Sequence, residues 1–139
     1  MDLAEAKRVT SIAIEIATPI LGLERWTFDV QFEELESGTY GEINRLVDYR
    51  NASIKLDAKQ AKNVEHLIQT VLHELAHAVL SAFDLMYSLA TAGMKSESPE
   101  LRQIDRVFDH ACERTVMDTL HVWKNLGLNR TIKRAVRKV

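Results

Sequence analysis

The 139-residue chain predicts an α+β domain in which a small, mostly antiparallel sheet of about three strands packs on a central helix, with an N-terminal helix before it and a long C-terminal helix after. Three observations predict it. Apolar residues recur at three- and four-residue spacing near the N-terminus, alternate strictly with polar ones from Trp26 to Phe32, and return to the helical period after Ala58. A single domain over residues 1–125 accommodates all of these segments, leaving residues 126–139 as a basic C-terminal tail or short helix.

Residues 2–18 place Leu3, Ala6, Val9, Ile12, Ala13 and Ile16 on one face, an amphipathic helix ended by Pro19 and Gly22. From Trp26, the apolar residues Trp26, Phe28, Val30 and Phe32 alternate with Thr27, Asp29, Gln31 and Glu33, as a half-buried strand requires. Glu36-Ser37-Gly38 reads as a turn. A second strand is expected over Tyr40–Tyr49. The segment Arg50-Asn51-Ala52 then turns into a third, Ser53–Asp57, with Ile54 and Leu56 facing inward. Short connections favour antiparallel neighbours. A long helix is expected from Ala58 to Phe83, through Val64, Leu67, Ile68, Val71, Leu72, Leu75, Ala76 and Val79. Asp84 to Glu97 is a looser stretch. Ser98-Pro99-Glu100 then marks a strong helix start, with Ser98 as N-cap, Pro99 in the first position and an acid in the first turn. That helix is expected to run to Asn125, with Gly127 as its stop.

Composition narrows the class. Hydrophobic content of 46% and charged content of 27% are ordinary for a globular domain, and no apolar run reaches the length of a membrane span. The N-terminus carries Asp2 and Glu5 ahead of Lys7 and Arg8 with no apolar core, unlike a secretory signal. The single cysteine, Cys112, excludes an internal disulfide and any cysteine-rich zinc knuckle, which fits a cytoplasmic location. The net charge of -2 hides an asymmetry: Lys124, Arg130, Lys133, Arg134, Arg137 and Lys138 close the chain with no acid among them. Such a run can meet nucleic acid, but is more often a solvated face or a docking segment.

The segment Val71–Leu80 contains His73-Glu74-Leu75-Ala76-His77, an HExxH pattern in the middle of a predicted helix. Residues four apart lie on one helical face, so both imidazoles can bind one zinc ion while Glu74 reaches a water beside it. Apolar residues surround these three ionisable groups, and burying such groups is costly unless they are paired or metal-bound. A catalytic zinc site takes a third protein ligand. The metzincin extension would place glycine at position 80 and histidine at 83; Leu80 and Phe83 stand there, so that subclass is excluded. The third ligand is then sought on the late helix among Asp109, His110, Glu113, Asp118 and His121. A helical wheel puts Leu101, Ile104, Phe108, Ala111, Cys112, Thr115, Val116 and Trp123 on the core stripe. Asp109, Glu113, Val116 and Leu120 share its border, and His110 and His121 fall opposite. Asp109, one turn before Glu113, is placed to hydrogen-bond a ligand histidine. Geometry alone leaves Glu113 evenly balanced between a ligand and a surface carboxylate near Arg114.

Three segments together resemble small phage- and prophage-type metallopeptidases, similar to the minigluzincin group of zincins. They are Tyr40-Gly41-Glu42-Ile43 with Ile54-Lys55-Leu56-Asp57, the motif segment Leu72–Ala78, and His110-Ala111-Cys112-Glu113-Arg114. The resemblance covers roughly residues 26–125. It implies a zincin-like architecture, with Glu113 as third metal ligand beside His73 and His77, and a sheet edge that aligns a peptide above the motif helix. No residue matches the Tyr or His that stabilises the oxyanion in larger gluzincins; Tyr87, His110 and His121 are candidates by type only. The expected activity is zinc-dependent peptide hydrolysis on a peptide or protein substrate, with Glu74 as general base and acid. The alternative expectation is an inactive zincin scaffold serving as a binding or structural component of a larger, phage-type assembly.

Overall fold

The computed structural model describes every residue from Met1 to Val139. The elements are α1 (Leu3–Ile20), β1 (Thr27–Phe32), β2 (Gly41–Leu46), a 3-10 turn at Val47–Tyr49, β3 (Asn51–Leu56), α2 (Val64–Val79), α3 (Ala82–Thr91), α4 (Pro99–Asn125) and α5 (Leu128–Lys138). Asp2 caps α1, its carboxylate accepting the Glu5 N–H at 2.8 Å. The buried face of α1 is made of small residues, Ala6, Val9, Thr10, Ala13 and Ala17, which lets α2 and α5 pack close against it.

The sheet is mixed, where the sequence predicted a mostly antiparallel one. Its order is β1-β3-β2: β2 and β3 form the expected hairpin, but β1 pairs with β3 in parallel. The physical reason lies in the connection from β1 to β2, which crosses the C-terminal end of β3 instead of turning back beside β1. Asp57 holds it there, accepting the Leu35 N–H at 3.0 Å. Gln60 completes the tie by donating to the carbonyls of Leu35, Glu36 and Thr39 and accepting the Gly38 N–H at 3.0 Å. The second strand ends at Leu46, and Arg50 takes a left-handed conformation (φ 51°) to close the hairpin.

α2 starts at Val64 and not at Ala58, because Asp57 also accepts the N–H groups of Lys59 and Gln60 and holds residues 57–60 as a turn. Asn63 then caps the helix, accepting the His66 N–H at 2.9 Å. α2 stops at Val79, and the looser stretch contains a helix the sequence did not predict, α3, none of whose residues is buried. α4 begins as expected, with Ser98 accepting the Leu101 N–H. Its packing corrects the expected stripe: Val116 alone is fully buried, and Ala111 and Thr115 are exposed. The first half of α4 leans on α3, where the rings of Tyr87 and Phe108 lie 4.3 Å apart.

Residues 126–139 are largely the helix α5, whose Leu128, Ile132 and Val136 are buried in the same cluster as α1 and α2. Arg8 donates to the Val136 carbonyl at 2.9 Å, and Lys133 pairs with Glu65 at 2.5 Å. Arg130, Arg134, Arg137 and Lys138 remain on the outer face. No helix is long and apolar enough to cross a membrane.

Candidate metal centre

α2 is anchored by Leu67, Ile68, Val71, Leu72, Leu75 and Ala78, all buried, which turns His73 and His77 toward α4. The two Nε2 atoms face one another at 3.3 Å. α4 brings Glu113 to them, with Oε1 3.0 Å from His77 Nε2 and Oε2 3.5 Å from His73 Nε2. Zinc bonds to nitrogen and oxygen of about 2.1 Å in a tetrahedron set the ligand atoms about 3.4 Å apart. The separation of the two Nε2 atoms matches that edge, and each histidine has a different oxygen of the Glu113 carboxylate beside it, so the two rings and the carboxylate lie close enough for one ion to be held between them. An imidazolium–carboxylate pair accounts for the contact of His77 with Glu113 by itself. It does not account for two Nε2 atoms turned toward each other, which need either a proton between them or a shared cation. His73, His77 and Glu113 also form the one group of three or more His, Cys, Asp or Glu side chains in the protein gathered closely enough to hold an ion. An imidazole–imidazole–carboxylate donor set suits zinc.

Burial lowers the His77 pKa against the opposing pull of the Glu113 carboxylate, favouring the neutral ring that a metal requires. Arg45, on β2, fixes this end of α2: Nη1 donates to the His77 carbonyl at 2.7 Å, and the guanidinium pairs with Asp84 at 3.0 Å. A cation on the last carbonyls of a helix is favourable for the helix dipole as well. Asp109, expected to hold a ligand histidine, is exposed and hydrogen-bonds to neither His73 nor His77. Burial pushes the Cys112 thiol up, away from the thiolate form a metal would bind.

Glu74 is 5% exposed. Burial, with help from the carboxylates of Glu113 and Glu42, raises its pKa to about 7. It packs against Gly41 at the start of β2: a Cβ there would lie 2.9 Å from Glu74 Oε1 and 2.8 Å from Thr70 Cγ2. Only glycine leaves room for the carboxylate in this position. Glu74 and His73 then line a cleft of about 670 Å³ bounded by residues 38–41, α2 and α4.

That cleft corrects the wheel assignment of His121, which lines it together with Tyr40, His66 and Lys124. His110 is exposed and takes no part in the lining, and Tyr87 is turned away to hydrogen-bond Asp105. The spacing Glu113, Met117, Leu120, Lys124 is a helical face that continues from the candidate ligand into the cleft, so Lys124 was findable in the sequence. Gly41 and Arg45 carried no such signal, because their roles depend on which strand lies beside α2. Comparison with protein-family models, with curated proteins and with solved structures returned no match to this chain.

Proposed function

We propose that the protein is a zinc-dependent peptidase of zincin type, with His73, His77 and Glu113 as metal ligands and Glu74 as general base and acid. The observation that carries this reading is the convergence of two imidazoles and one carboxylate, whose nearest atoms are 3.0 to 3.5 Å apart, beside a buried glutamate that opens on a cleft. Zinc bound there supplies a Lewis acid that acidifies water and polarises a carbonyl. Glu74 takes the proton of the attacking water on its carboxylate and returns it to the leaving amine, acting first as base and then as acid. β2 pairs only with β3, and its other edge is free to bind an extended peptide through main-chain hydrogen bonds. β2 also contacts α2 directly, which places that edge beside the motif.

Glu74→Gln is expected to retain one zinc per chain while lowering peptide hydrolysis at least a hundredfold. Metal analysis with turnover of a quenched-fluorescence peptide pool checks both; a variant as active as the parent removes Glu74 from its role. The second reading, a scaffold that binds a partner without catalysis, is favoured by α3, whose Leu85, Met86 and Leu89 are 50%, 63% and 70% exposed. It predicts no cleavage of any peptide by the zinc-loaded protein.

A further inference from the structure

The cleft is electrostatically one-sided. Glu74, at its metal end, is its only acid, whereas the opposite end carries Lys124, His66 and His121, with the amides of Gln69 and Asn129. Lys124 takes part in none of the protein's ion pairs, and the neighbouring Glu65 is already held by Lys133. His66 adds a buried Nδ1 with no hydrogen-bond partner, while Tyr40 packs on its ring at 4.5 Å. His121 Nε2 lies 3.1 Å from the Asn125 amide, so the free charge at this end is the Lys124 ammonium, with no carboxylate in the lining beside it, which suits an anion.

The fold also sets which part of a peptide would reach it. β2 runs with its Gly41 end at Thr70 and Glu74 and its Arg45 end at the His77 carbonyl. Antiparallel pairing is the more stable arrangement, so a peptide added to the free edge runs from the Arg45 end toward the Gly41 end and onward into the cationic part of the cleft. His66 precedes His73 by seven residues on α2, a rise of roughly 10 Å, which an extended chain covers in about three residues.

We propose that this end of the cleft is a carboxylate subsite. It reads an anionic group about two or three residues to the C-terminal side of the cleaved bond, with Lys124 as the charge partner and the rings of His66 and His121 lining the cleft beside it. The proposal rests on the peptidase reading above. The carboxylate belongs either to a free C-terminus, in which case the protein releases short C-terminal peptides, or to an Asp or Glu side chain.

The test uses the zinc-loaded full chain and randomised peptide pools that differ only in a free or amidated C-terminus, each made with and without Asp and Glu. Mass spectrometry of the products is expected to show about a tenfold rate preference for pools containing the anionic group, as a charge-assisted hydrogen bond gives. The pool in which the preference appears identifies the source. Lys124→Gln should bring the ratio close to one, and Lys124→Arg should restore it. Equal rates for all pools with the parent protein, or a preference that survives Lys124→Gln, overturns the subsite while leaving the peptidase reading intact. If the parent cleaves nothing, the peptidase reading fails and the subsite is judged by retention of the same pools on the immobilised proteins. Stronger retention of carboxylate pools by the parent than by Lys124→Gln upholds it, and equal retention overturns it.

Discussion

A carboxyl group with almost no exposed surface and no hydrogen-bond partner pulls against the stability of the chain whenever it is ionised. Glu74 is in that state. Its pKa is raised from the ordinary 4.5 to about 7, so the folded chain binds a proton more tightly than the unfolded one. Stability of the metal-free protein is therefore highest below pH 4.5 as far as this group is concerned, falls as pH rises toward 7, and levels off above it. Glu74→Gln removes that loss. Urea unfolding of chelated protein at pH 8 is expected to find the variant more stable by up to about 3 kcal/mol, with the difference shrinking toward pH 5. A constant difference across that range would mean that Glu74 is not buried as a carboxylate. Its neighbour Gly41 shows what a single chain can and cannot disclose: HExxH announced the glutamate, but nothing in Tyr40-Gly41-Glu42 announced that the glycine makes room for it.

Among the elements, the departures from expectation share one origin. Periodicity located β1 and α2 because one face of each packs on the core, and Ser98 and Pro99 fixed the start of α4 because caps act locally. The order of strands was not legible, since it depends on Asp57 and Gln60 reaching across to residues 35–39, and a hydrogen bond spanning more than twenty positions leaves no periodic trace. Asp57 is 4% exposed, and the backbone and amide N–H groups of Leu35, Lys59 and Gln60 hold its pKa below the usual carboxylate range. Its contribution is present above pH 4 and lost as pH falls through the lowered folded value. Asp57→Asn is expected to cost about 2 to 4 kcal/mol at pH 7, since it replaces several charge-assisted bonds at once. The penalty should diminish in acid, which urea midpoints from pH 7 to 3 will measure. α3 escaped prediction because it has no buried face, and a helix without one gives no hydrophobic period.

For the whole molecule, the C-terminal segment expected as a basic tail or short helix is a helix, and its apolar face is a wall of the core. Its charges dominate the sequence, yet Leu128, Ile132 and Val136 fall four apart, and that stripe is the part the fold uses. Ile132→Ala is expected to destabilise by about 2 to 5 kcal/mol in denaturant unfolding, as large-to-small changes at fully buried aliphatic positions do. A loss below about 1 kcal/mol would show that α5 is dispensable. The opposite face of the molecule is built differently. No residue of α4 before Val116 is buried, and this half meets α3 through Phe108 and Tyr87 and the α2 histidines through Glu113. A metal ion held by all three ligands then acts as a clasp, and the arm made of α3 and the start of α4 shares in its binding free energy. A thousandfold excess of free zinc over its dissociation constant stabilises by about 4 kcal/mol. Chelation should accordingly speed amide hydrogen exchange across residues 82–113 while α1, β3 and α5 keep their protection, making the arm a built-in reporter of whether the centre is filled.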